Sequence, residues 1–232
     1  MLKEVSKMLK KIRGKLIVSC QALDNEPLHS SFIMGRMALA AKMGGAVAIR
    51  AQSAQDIKEI KKVTGLPVIG LVKRNYEDSD IYITPTKQEV DELLTTECEI
   101  IALDATMRKR HNNENLKELI DYIHKNKRLV MGDISTMPEG INAEILGVDC
   151  VSTTLSGYTP YSRQGDSVDL EIIEKLSHRL YIPVIGEGKI STPDDLRRVF
   201  KCGAYAAVVG GAITRPQLIT AKFVDAINSE RS

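Results

Sequence analysis

The sequence predicts a closed barrel of eight parallel β-strands, each followed by a helix, a (β/α)8 fold that takes residues 1–232 as a single domain. Three observations predict it. Short apolar runs rich in Val and Ile alternate with amphipathic helical stretches along the chain, and unbroken apolar runs are the mark of strands buried on both faces. The length of 232 residues is close to the roughly 250 typical of such barrels. Leu66-Pro67-Val68-Ile69-Gly70 returns half the chain further on as Ile182-Pro183-Val184-Ile185-Gly186, as two similar half-barrels would arrange it. An open doubly wound sheet is the competing arrangement, and near-uniform units favour closure.

Each element has its own grounds. Residues 1–13, MLKEVSKMLKKIR, set Leu2, Val5, Met8, Leu9 and Ile12 on one helical face, an amphipathic helix suited to covering the barrel bottom. Leu16 to Cys20 is a first strand ending at Gln21, and a helix from about Ser30 to Met43 stops at Gly44-Gly45. Ala46 to Arg50 is strand two, followed by a helix capped by Ser53. Pro67 to Val72 is strand three and delivers Lys73-Arg74, after which a long loop runs to the helix at Lys87. Ile100 to Leu103 leads to Asp104, a helix runs from Asn115 to about Asn126, and Leu129 to Gly132 leads to Asp133. The next helix has Pro138 near its start and Gly147 after its end. Cys150 to Thr154 is strand six, with a second long loop before the helix at Leu170. Pro183 to Gly186 is strand seven; Thr192 then caps a helix with Pro193, Asp194 and Asp195 in its first turn. Ala206 to Val209 is strand eight, and Thr214, Arg215 and Pro216 open the last helix.

Composition narrows the function. A net charge of +2, three Phe and no Trp leave neither a basic face nor stacking platforms for nucleic acid. No run approaches a membrane span, and residues 1–13 lack the continuous apolar region of a secretion signal. Cys20, Cys98, Cys150 and Cys202 have no metal-like spacing and read as thiols in a reducing cytoplasm.

Active sites of this fold lie at the carboxyl ends of the strands. The residues there are Gln21, Arg50, Lys73, Asp104, Asp133, Thr153 or Thr154, Glu187 and Gly210-Gly211. Structural ion pairs account for two or three of them, not for the whole set. The glycines after strands seven and eight, with Arg215 beside them, suit a phosphate; tight turns are the plainer use. Burial and Arg50 would lower the pKa of Lys73, while Glu187 and Asp133 would raise it. That set suits proton abstraction α to a carbonyl on a phosphorylated sugar, and equally a lysine Schiff base.

IVSCQALDNEPLHSSFIMGRMALAA (17–41) resembles the N-acylglucosamine-6-phosphate 2-epimerases, also called N-acetylmannosamine-6-phosphate 2-epimerases, of bacteria. So do GGAVAIRA (44–51), PVIGLVKRNY (67–76), IALDAT (101–106), VSTTLSGYT (151–159) and VVGGAITRP (208–216). The resemblance implies a cofactor-independent, metal-free enzyme that inverts C2 of an N-acyl hexosamine 6-phosphate through its open-chain aldehyde. It implies catalytic roles for Lys73 and Glu187 and sugar binding by Gln21, Arg50 and Asp133. Thr153 and Tyr158 join these as candidate substrate contacts. It implies a phosphate clamp of Gly188, Lys189, Gly210, Gly211 and Arg215, and a homodimer built through the C-terminal helix, Gln217 to Ile227. Gly132 and Gly186 depart from the family pattern and are expected to add backbone freedom before Asp133 and Glu187. His124 and His178 are expected to be solvated on helices, Cys20 to be structural, and Arg163 to be a secondary ligand. Tyr158 and Tyr161 are expected to cover the sugar or merely to pack.

Overall fold

A computed structural model describes residues 2–229, with side chains from Lys7 to Asn228. The expected apolar contacts of Leu2 and Val5 lie outside those side chains. Helix α1 (Leu2–Ile12) precedes strand β1 (Leu16–Cys20), and the chain then alternates α2 (Ser31–Met43), β2 (Ala48–Gln52), α3 (Ala54–Thr64) and β3 (Val68–Leu71). It continues through α4 (Lys87–Leu94), β4 (Ile100–Asp104), α5 (Leu116–Lys125), β5 (Leu129–Asp133), α6 (Met137–Leu146) and β6 (Cys150–Ser152). It ends with α7 (Leu170–Arg179), β7 (Val184–Gly186), α8 (Pro193–Lys201), β8 (Ala206–Val209), α9 (Gly211–Thr214) and α10 (Pro216–Ser229).

Every neighbouring pair of strands is parallel, and β8 returns to β1 through Leu16↔Ala207, Ile17↔Val208 and Val18↔Val209, so the barrel is closed. The helices start where short polar side chains can bond free amides. Thr192 accepts from the Asp195 N–H while Asp195 accepts from the Thr192 N–H, and Thr86 with Glu89 and Thr136 with Glu139 form the same reciprocal cap.

Two apolar layers result. Outward-facing strand residues such as Ile49, Ile101 and Val151 pack on the helices. Inward-facing ones, among them Ile17, Ala48, Ile69, Ala102, Met131, Cys150 and Ile185, fill the barrel. Met8 and Ile12 of α1 join this inner layer, so α1 closes the bottom as expected. Ile12 is fully buried, a gain of about 1.5–3 kcal/mol over leaving it exposed.

Four expectations change. Strand β2 begins at Ala48 rather than Ala46 and runs to Gln52, which puts Arg50 inside the barrel wall, opposite Ser19 and Ile69. Strand β6 stops at Ser152, leaving Thr153 and Thr154 in the loop. The last helix is two pieces: the four-residue α9 comes first, and α10 starts at Pro216, which has no N–H with which to continue it. Gly186 serves packing rather than freedom, since a Cβ there would stand 2.4 Å from Val199 Cγ1 on α8.

Candidate active site

Side chains on a strand alternate between faces, so the residues above the inner apolar layer can be followed by counting in twos. From Ile17 the count reaches Ser19 and Gln21; from Ala48, Arg50; from Ile69 and Leu71, Lys73; from Met131, Asp133; from Cys150, Ser152 and Thr154; from Ile185, Glu187; from Val208, Gly210. All but Asp133 and Ser152 line one cavity of about 380 Å³ at the top of the barrel. Gly188, Lys189, Gly211, Arg215 and Tyr158 line it as well.

Arg50 is the hub. It is 1% exposed, and its Nη1 and Nη2 donate to Asp133 Oδ1 at 3.0 Å and Oδ2 at 2.5 Å. Nη1 also lies 3.1 Å from Glu187 Oε2, while Nε is buried without a hydrogen-bond partner among the described residues. Burial works against the charge, but the charges of Asp133 and Glu187 more than reverse it, so Arg50 stays ionised. Asp133 lies fully buried beneath this pair and off the cavity wall, where it fixes Arg50.

Glu187 follows β7, with Ser152 Oγ and Thr154 Oγ1 each 3.0 Å from Oε2. Thr154 Oγ1 is also 2.8 Å from Asp133 Oδ1. A hydroxyl has one proton to give. Thr154 therefore shares that proton between Asp133 and Glu187, while Ser152 Oγ also donates to Glu187 Oε2. Burial pushes the Glu187 carboxyl up, against the pull of Arg50 and of these hydroxyl donors.

Thr153 is a correction. Its Oγ1 donates to the Glu187 carbonyl at 2.8 Å and accepts from the Glu187 N–H at 3.0 Å, so it pins the backbone behind the site and faces away from the cavity. Thr154 is the threonine that faces inward.

The Lys73 ammonium forms no hydrogen bond or ion pair among the described residues. Its pKa falls to about 8, first through burial and then through the charges of Arg50 and Arg215, with Glu187 and Glu26 opposing. Glu26 thus takes the part expected of Asp133, whose charge Arg50 holds. Across the cavity, Gln21 Nε2 donates to Ser19 Oγ at 2.8 Å, and its Oε1 is buried without a hydrogen bond among the described residues. Tyr82 packs its ring on the inner apolar layer and lines the cavity, and its hydroxyl makes no hydrogen bond among the described residues; burial raises its pKa.

The anion end differs in detail from expectation. Gly188 has φ +98°, open to glycine, and Lys189 follows at +55°. Lys189 Nζ bonds the Gly157 carbonyl at 3.3 Å and the Gly165 carbonyl, and stands 5.0 Å from the Tyr158 ring centre. It thus fastens the β6–α7 loop over the cavity. Arg215 Nε donates to Glu26 Oε1 at 2.6 Å.

Other candidates stand apart. Asp104 is buried with Arg108 and Thr106, away from the cavity. Burial pushes the Cys20 thiol up to about 12, which leaves it inert. His124 is partly exposed, as expected of a helix surface, but is also paired: its Nε2 is 2.8 Å from Asp149 Oδ2, and its pKa is raised by that bond. His178 Nδ1 lies 2.9 Å from the Glu174 carbonyl. Tyr161 packs with its hydroxyl on Glu139 at 2.8 Å, and Arg163 bonds Ser167 of its own loop. The alternation rule picks out Ser19 and Thr154. Nothing in the sequence pointed to Glu26, Tyr82, Asp166, Ser191 or Lys222.

Comparison with known proteins gives the same direction. Residues 34–229 match the family NanE, described as "Putative N-acetylmannosamine-6-phosphate epimerase". A protein of Clostridium perfringens (strain 13 / Type A), named "Putative N-acetylmannosamine-6-phosphate 2-epimerase", is 67% identical over 94% of this chain and 99% of its own. One of the same name from Clostridioides difficile (strain 630) is 69% identical over 95% of this chain and 99% of its own. The solved structure of the N-acetylmannosamine-6-phosphate 2-epimerase from Clostridium perfringens superposes with a TM-score of 0.94 at 67% identity, covering 94% of this chain and 96% of that one. A thiamine phosphate pyrophosphorylase from Pyrococcus furiosus, at 19% identity and TM-score 0.62, shares the fold alone. The chain belongs to the N-acetylmannosamine-6-phosphate epimerase family.

Proposed function

We propose that the protein interconverts N-acetylmannosamine 6-phosphate and N-acetylglucosamine 6-phosphate by moving the C2 proton of the open-chain sugar, with no metal or organic cofactor. The observation that carries this reading is Lys73, a largely buried amine with no hydrogen bond or ion pair among the described residues, in the same cavity as Arg50, Glu187 and the glycine turn at Arg215. With a pKa of about 8, roughly a tenth of Lys73 is neutral at pH 7. The neutral amine takes the C2 proton, and the bonding pair moves onto the aldehyde oxygen as an enolate. Arg50, held charged by Asp133, faces that oxygen. Glu187 is the acidic partner in returning a proton to C2. The amides of Gly210 and Gly211, with Gly188, Lys189 and Arg215, hold the phosphate, and that remote grip orients the reacting carbon. Gln21 Oε1, buried and unbonded, accepts from the sugar, and Tyr158 covers it.

Proton NMR of either sugar phosphate with the enzyme tests this: both C2 epimers should appear from each, and Lys73→Ala should give neither conversion. A depressed lysine pKa also suits a Schiff base. Borohydride trapping of the sugar on Lys73 would favour that second reading, and complete turnover without trapping would dismiss it.

The working form in this proposal is a cytoplasmic homodimer formed through α10. Phe223 is 71% exposed on α10, with Leu218, Val224 and Ile227 also exposed, and the four cysteines are unpaired. Light scattering tests the assembly: Phe223→Glu should shift the protein to monomer, and an unchanged mass contradicts the interface.

A further inference from the structure

The arginine at the anion end is not free. The Glu26 carboxylate, on the β1–α2 loop, receives Arg215 Nε on Oε1 at 2.6 Å and Arg215 Nη2 on Oε2 at 2.9 Å. Gln217 Nε2 adds a bond to Oε1 at 3.1 Å, and the Leu23 N–H adds one to Oε2 at 2.8 Å. These donors fix the carboxylate in one place, and the hydrogen bond from Arg215 holds its pKa below the usual carboxylate value.

A guanidinium has two edges able to grip an oxyanion: the side edge, Nε with Nη2, and the end edge, Nη1 with the outer proton of Nη2. Glu26 occupies the side edge. The end edge stays open, since Nη1 has no hydrogen bond among the described residues. Nη1 also lies 4.0 Å from where a Cβ on Gly211 would stand, beside the glycine turn at the end of β8. The carboxylate therefore leaves Arg215 one free fork and aims it along the cavity wall.

We propose that Glu26 is a positioning residue for the phosphate ester, gripping the side edge of Arg215 so that the end edge meets the phosphate without first losing rotamer freedom. The proposal rests on reading Arg215 as a phosphate ligand. An arginine already held in place binds more tightly than a mobile one, because its ordering cost has been met in the folded chain. The effect belongs to ground-state and transition-state binding alike, so it appears in KM and leaves kcat nearly alone. If Glu26 instead competed with phosphate for Arg215, its removal would tighten binding. The two cases differ in sign.

Steady-state kinetics with N-acetylmannosamine 6-phosphate, and competitive inhibition by inorganic phosphate, decide between them. Glu26→Gln should raise KM and the phosphate inhibition constant together, by about tenfold, with kcat within about threefold. Gln217→Met, which loosens Glu26 from the other side, should move both in the same direction by less. A lysine offers no side edge to hold, so in an Arg215→Lys background Glu26→Gln should add nothing. An unchanged or lowered KM in Glu26→Gln overturns the proposal. So does a fall in kcat at constant KM, the mark of a residue that only holds its loop together. The same factor in both backgrounds also overturns it. If Arg215→Lys alone leaves KM and phosphate inhibition untouched, the phosphate reading of Arg215 fails, and with it the basis for the proposal.

Discussion

Arg50 Nη1 bridges two carboxylates, standing 3.0 Å from Asp133 Oδ1 and 3.1 Å from Glu187 Oε2 inside the barrel. Asp133 takes both terminal guanidinium nitrogens and lies wholly buried, whereas Glu187 takes one and reaches the cavity. One carboxylate balances the arginine charge, and the other is left for chemistry.

Asp133→Asn should therefore damage the whole molecule. It leaves the Arg50 cation buried with only Glu187 beside it, and breaking such a pair costs about 3–5 kcal/mol. Urea unfolding should show a loss of that order at an unchanged denaturant slope; a loss under 1 kcal/mol would mean that water reaches Arg50.

Lys73 should weaken the fold at neutral pH. Its folded pKa of about 8 lies below the ordinary 10.5, so the unfolded chain holds the proton more tightly. The penalty is fully present below pH 8 and is relieved as pH rises from about 8 to 10.5. Lys73→Met should gain about 1–3 kcal/mol at pH 7, with the gain shrinking toward pH 10.5. In the wild type, kcat/KM should climb with pH and level off above about 8. A flat profile would show that the amine is not the base.

The two threonines after β6 should behave differently. Thr154→Val removes the hydroxyl that contacts both carboxylates, so the Glu187 pKa should rise further and kcat should fall by about tenfold or more. Thr153→Val removes the clamp on the Glu187 backbone and should lower thermal stability as well as kcat. Equal effects on activity and stability from both variants would contradict this division.

Closing the barrel bottom should matter for stability alone. Ile12→Ala opens a cavity under the inner layer and should cost about 2–5 kcal/mol in urea unfolding, with KM unchanged. A cost below 1 kcal/mol would mean that α1 rests loosely on the barrel.

Much of this was legible in the sequence, because a barrel reads in simple periods. The βα alternation and the apolar runs set the strand order, and Lys73 and Glu187 stand out because each directly follows such a run. The apolar run puts Arg50 at a strand exit, yet β2 continues to Gln52 and carries it in the wall. Of Thr153 and Thr154, counting in twos from Cys150 selects Thr154, the one that faces the cavity. The grip of Glu26 on Arg215 left no trace to read. It joins residues far apart in the chain, and neither its loop nor its carboxylate has any periodicity. Lys189 shows the same limit: its place after β7 was readable, but not the carbonyls of the loop that captures it.

Solvent exchange at C2 tests the central claim most directly. In deuterium oxide, the wild-type enzyme should place deuterium at C2 of both N-acetylmannosamine 6-phosphate and N-acetylglucosamine 6-phosphate, and Lys73→Ala should place none in either. Interconversion without label, or undiminished labelling by Lys73→Ala, would contradict proton abstraction by the amine that follows β3.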